Sequence, residues 1–112
     1  MSATNENEYP LPPATFEFLT ASLKMQAEMQ LGLLHFGEES ERPAPDFRLA
    51  RHTIDVMAML EAKTKGNLST EEQRLMENSL TELRFRFVQA LEARKSEPAA
   101  VSPAEDTSQA GT

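Results

Sequence analysis

A chain of 112 residues has room for one small domain, and with 39% apolar residues, no Trp and a single Tyr its core is thin. Small domains of this kind often need a staple or a partner to offset the entropy of ordering, and the absence of Cys excludes both disulfides and thiolate metal sites. The net charge of −7 is unevenly placed: residues 1–45 carry Lys24 and Arg42 against seven acids, residues 46–95 nine Lys and Arg against eight acids, and residues 96–112 three acids and no base. Without a concentrated basic face, nucleic acid and anionic membrane surfaces are disfavoured partners.

The N-terminal stretch MSATNENEYPLPPA has acids where a secretory signal needs Lys or Arg, and no apolar segment follows it. No run approaches the roughly 18 apolar residues of a membrane span, so the expected location is the cytoplasm. Residues 1–14, ending in PLPP, read as a flexible arm. Residues 15–95 read as a helical domain, and residues 96–112, SEPAAVSPAEDTSQAGT, as a disordered acidic tail with almost nothing to bury.

Three helices are predicted, at about 15–36, 46–65 and 70–94, in an all-α fold; β-branched residues are few and strand-like alternation never persists. The first begins after Thr15, an N-cap, and extends to Phe36, where Gly37 stops it. Phe16, Leu19, Leu23, Ala27, Leu31 and Leu34 share one face. A second stripe, Phe18, Met25, Met29, Leu33 and Phe36, lies beside it, so the apolar arc is wider than one core requires. The surplus face is expected to be an oligomer seam, and flexible Met side chains suit such a surface. The second helix follows the N-cap Asp46 with a stripe of Phe47, Ala50, Ile54, Met57 and Ala58. The third carries Met76, Leu80, Leu83, Phe87 and Leu91.

Between the second and third helices stands KTKGNLSTEEQRL, residues 63–75. Gly66 suits a left-handed helix stop, and Lys63 and Lys65 complement the carbonyl end of the helix before it. Ser69 with Glu72, or Thr70 with Gln73, makes a capping box for the next helix. Only Asn67 and Leu68 remain between these caps, so the two helices form an antiparallel hairpin, with Leu68 turned inward. The competing reading, a phosphate loop, lacks the Walker spacing and a preceding strand, and Glu71 and Glu72 already occupy the positive helix end.

These residues carry a resemblance. FEFLTASLKMQAEMQLG followed by IDVMAMLEAKTKGNLSTEEQRLMENSLTELRFRFV is similar to the small bacterial proteins of domain-of-unknown-function family 1844. The matching positions are Ser22, Leu23, Gln26, Ala27, Leu31 and Gly32, then Ile54, Asp55 and Leu60. The corner from Lys63 to Leu68 with Glu71 and Glu72 is the most specific part, followed by Leu80, Glu82, Leu83, Arg84, Phe87 and Val88. Met57 stands where that family usually has Leu, a volume-conserving change. The resemblance implies a cytoplasmic bacterial protein and brings no activity with it.

Candidate chemistry is sparse. His52 with Asp55, and His35 with Glu38 and Glu39, are the only histidine–carboxylate groupings a metal could use, and an exposed helix surface offers such pairs by chance. No nucleophile–base pattern occurs, so neither a catalytic residue nor a cofactor is expected and the chain reads as a non-enzyme. Asp55, between Ile54 and Val56, is expected near the buried edge of its helix, linked to Arg84 or a corner lysine, with Gln26 similarly placed on the first helix. The leading expectation is a non-catalytic homo-oligomer, a dimer above all, or a protein-interaction module acting through the first helix. The alternative is a small protein that binds a metal or an anionic metabolite through the corner lysines or the histidines.

Overall fold

Prolines at 10, 12 and 13 keep the chain extended until Thr15, whose hydroxyl oxygen accepts from the Phe18 N–H at 3.0 Å and opens helix α1, Phe16–Gln30. Our computed structural model describes residues 9–96; the first eight residues of the expected arm and the expected tail from residue 97 lie outside them.

α1 ends at Gln30 and not near Phe36. Leu31 caps it, and Gly32 takes a φ of +78°. The Gly32 N–H then donates to the Met29 carbonyl at 3.0 Å and the Leu33 N–H to the Glu28 carbonyl at 2.8 Å, the paired bonds of a Schellman stop. Leu33, Leu34 and Phe36 keep a helical spacing in the sequence, but the reversal at Gly32 satisfies the last carbonyls and turns the chain away. The Asp46 N–H consequently reaches the Gln30 carbonyl at 2.7 Å, closing the connection onto the end of α1. Within that connection, a single 3-10 turn spans Glu39–Glu41.

Asp46 opens α2, Phe47–Lys63, by accepting the Leu49 N–H at 3.1 Å. Ser69 opens α3, Thr70–Lys95. Among the described residues there is no strand, and each helix packs against the other two, α2 and α3 as the expected hairpin. The shared core is Ala27 from α1, Ile54 and Met57 from α2, and Met76, Leu80 and Leu83 from α3, all buried. Phe16, Leu23, Ala58, Leu60 and Phe87 close its margins. At one end Phe47 meets Phe87 edge to face, centroids 5.4 Å apart, and the Arg94 guanidinium lies 5.4 Å from the Phe47 ring centre. Among the described residues, no helix is long and apolar enough to cross a membrane.

Three small polar residues, Thr20, Thr53 and Ser79, are buried at the helix contacts, one from each helix. Among the described residues, the Thr20 hydroxyl has no hydrogen-bond partner. Desolvating a hydroxyl without a partner is costly, so Thr20→Val, which keeps the shape and removes the polar atom, should stabilise the protein by about 1 kcal/mol. Thr20→Ala should instead destabilise it by opening a cavity. Paired urea titrations of the two variants check both signs; a destabilised Thr20→Val would show that the hydroxyl is satisfied in solution.

Candidate functional site

The corner between α2 and α3 is built as a chain reversal. Thr64 caps α2, its hydroxyl donating to the Leu60 carbonyl at 2.7 Å. The Asn67 N–H closes a four-residue turn onto the Thr64 carbonyl at 2.8 Å, and Gly66, third in that turn, has a φ of +87°. The capping box falls on Ser69: its N–H donates to the Glu72 carboxylate at 2.8 Å, and the Glu72 N–H donates to the Ser69 hydroxyl oxygen at 3.1 Å. The Glu72 carboxylate thus stands at the helix end, where it would repel an arriving anion. Leu68 is half-buried, while Lys63 and Lys65 project into solvent.

The histidines are drawn into no cluster. Among the described residues, no three His, Asp or Glu side chains come together as a group that could hold a metal. His35 contacts the Glu38 carbonyl through Nε2 at 2.9 Å, and His52 lies on the exposed side of α2. Glu39, the other acid near His35, is gripped by Arg42 through two nitrogens at 2.8 and 3.0 Å. That hydrogen-bonded guanidinium holds the Glu39 carboxyl below its ordinary pKa. Arg42 also donates to the Gly32 carbonyl, tying the 3-10 turn to the stop of α1.

The expected buried link through Asp55 needs correction. Its side chain is 67% exposed and pairs, among the described residues, with Arg51 at 4.0 Å. In a helix each residue is turned about 100° from the last, so burying Ile54 swings Asp55 onto the outer flank. Arg84 is exposed on α3. Arg51, Asp55 and Arg84 line one shallow groove of about 290 Å³, floored by Ile54, Phe87 and Val88, and no ion pair joins Asp55 to Arg84. A polar link between helices does exist, with different members. The buried Thr53 hydroxyl donates to the Gln30 side-chain oxygen at 2.7 Å and accepts from the Gln26 amide at 3.4 Å, joining α2 to α1. Gln26 is legible in the sequence as a member. Thr53 is not, although its place between two buried turns, beside Ile54 and before Met57, is the signal that marks it. On the other side of α1, Lys24 pairs with Glu82 of α3 at 3.0 Å.

The outer side of α1 exposes a line of large apolar side chains. Thr20, Ala27 and Leu31 turn into the core, so Phe18, Met25 and Met29 face directly away from it, each 45% exposed. Leu33 and Phe36, beyond the helix stop, are 38% and 78% exposed. All five side chains of the expected seam are therefore accessible, although only three of them stand on the helix. Ser22 completes the helical line, at the spacing 18, 22, 25, 29 that lets one helix lie along another.

No curated protein and no solved structure matches this chain. A family model described as a domain of unknown function, DUF1844, matches residues 13–89, which span all of α1 and α2, the corner, and α3 as far as Gln89. The chain belongs to the DUF1844 family.

Proposed function

We propose that this protein is a non-catalytic, cytoplasmic bacterial interaction module that works by protein–protein contact, as a homo-oligomer or with another protein, through the outer face of α1. One observation carries the reading: a helix already packed on its own core presents a second line of Phe and Met side chains to water. Monomeric soluble proteins rarely leave such a patch uncovered, and a core this thin gains most from a partner. Light scattering on a sizing column should give a mass above the 12.5 kDa of one chain, rising with concentration. Replacing Phe18, Met25 and Met29 together by Gln should return the protein to a monomer with its helix content unchanged. A wild-type monomer at every concentration, with a melting temperature independent of concentration, would exclude self-association.

The reading as a binder of anionic metabolites draws support from the α2–α3 groove, where Arg84 has no ion-pair partner among the described residues. At the corner, the Ser69 and Glu72 N–H groups are already taken by the capping box, and the Glu72 carboxylate stands at the helix end. A ligand in the groove would raise the melting temperature without any dependence on protein concentration.

A further inference from the structure

Two guanidiniums line the groove between α2 and α3, Arg51 from one helix and Arg84 from the other, and Asp55 lines it with them. Arg51 stands 4.0 Å from the Asp55 carboxylate, beyond hydrogen-bonding distance, so that contact leaves its N–H groups open. Arg84 has no ion-pair partner among the described residues. Two positive charges against one negative leave a net +1, which a single negative charge balances. A dianion would meet Asp55 as well as the arginines, and like charges in one small site repel. A cation would face two guanidiniums against one carboxylate. Each guanidinium presents paired N–H groups in one plane, the geometry that a carboxylate accepts with both oxygens.

The rest of the lining is apolar. Ile54 belongs to the core, and Phe87 packs edge to face on Phe47, so the fold fixes this floor before anything binds. Val88 is 54% exposed and would be covered once the groove is filled. At about 290 Å³ the space stands at the small end of ligand sites, which run from about 300 to 1,000 Å³. It suits one ring or a short chain, whereas a partner helix about 10 Å across would stand above it. An inorganic anion would use the arginines and leave Ile54, Phe87 and Val88 uncovered. We infer that the α2–α3 groove binds a small organic monocarboxylate, its carboxylate on Arg84 and Arg51 and its apolar body on Ile54, Phe87 and Val88. It rests on the reading of the groove as an anion site, narrows that reading to one charge and an apolar body, and is independent of whether α1 pairs.

Phenylpropionate, with one carboxylate and one ring, is a direct probe. Titrated into the full chain labelled with nitrogen-15, it should shift the amide resonances of Ile54, Asp55, Arg84, Phe87 and Val88 along saturating curves. The Kd should be about 1 mM or tighter. Acetate, which lacks the body, and phenylpropanol, which lacks the charge, should each bind at least about tenfold more weakly. Arg84→Gln should weaken phenylpropionate about tenfold. Its melting temperature should stay that of the wild type, because Arg84 is exposed and holds no ion pair among the described residues. Asp55→Asn should raise the affinity for the dianion phenylsuccinate relative to phenylpropionate. If acetate or inorganic phosphate saturates the groove as tightly as phenylpropionate, an anion site stands and the inference is overturned. Shifts that map to the outer side of α1, or an Arg84→Gln variant that binds as well as the wild type, would overturn it too. No saturable shift in the groove with any of these probes would sink the anion reading along with the inference, so the two failures are distinguishable.

Discussion

Leu83→Ala should cost about 2–5 kcal/mol of stability, the range for emptying a fully buried leucine site. Leu83 has no exposed surface and sits on α3 with Leu80 and Met76, facing Met57 and Ile54 of α2 and Ala27 of α1. The loss is felt by all three helices at once because this cluster is their common contact. Native proteins have only about 5–15 kcal/mol to lose, and a small thin-cored one lies toward the lower end of that range. The melting temperature should fall by more than about 10 °C, at roughly 4–8 °C per kcal/mol for a domain of this size. Thermal unfolding followed by circular dichroism gives the answer. A drop of only a few degrees would mean that the helices close up around the vacancy and that the core is looser than its burial implies.

Gly32→Ala should cost about 1–3 kcal/mol, from two causes that act together. Its φ of +78° lies in the left-handed region, which penalises any Cβ by about 1–2 kcal/mol. A Cβ there would also stand 3.2 Å from the Pro43 carbonyl oxygen and 3.8 Å from the Pro45 ring, so the returning connection would have to shift. The strain falls where the Asp46 N–H meets the Gln30 carbonyl and where Arg42 meets the Gly32 carbonyl, loosening the junction between α1 and α2. Gly66→Ala separates the two causes, because φ there is +87° but nothing lies within 4 Å of where its Cβ would stand. Urea unfolding should rank Gly32→Ala as the more damaging of the two. Equal losses would show that backbone conformation alone explains both.

The corner and the first helix show what kind of information a sequence holds. Gly66, Ser69 and Glu72 are legible because the bonds of the corner close within a few residues, so spacing narrows the capping box to Ser69 with Glu72 or Thr70 with Gln73, and the structure takes the first. Gly32 shares its left-handed conformation with Gly66 but is hidden in the sequence, because Leu33, Leu34 and Phe36 continue a helical spacing beyond it. What tells the two glycines apart is the chain that returns past Gly32, with Pro43 and Pro45 against it, and that is not a local fact. Asp55 and Thr53 make the parallel case inside a helix. Both border the apolar stripe of α2, and a rotation of the helix by a fraction of a turn decides which of them is buried. Burial of Ala50, Ile54 and Met57 sets that rotation, and Gln26 and Gln30 of α1 satisfy the hydroxyl it brings in.

By itself, then, the sequence determined the all-α class, three helices, the N-caps Thr15 and Asp46, the third N-cap to within one residue, the hairpin corner and the apolar surplus of α1, because caps and helical periodicity act over one or two turns. It also determined kinship, through the corner from Lys63 to Leu68. Only the tertiary structure decided where α1 ends, which polar side chains join the helices, and that the surplus stripe stays on the outside once the core is closed. Those outcomes depend on which face each helix turns to the other two, and that choice is made by packing all three at once.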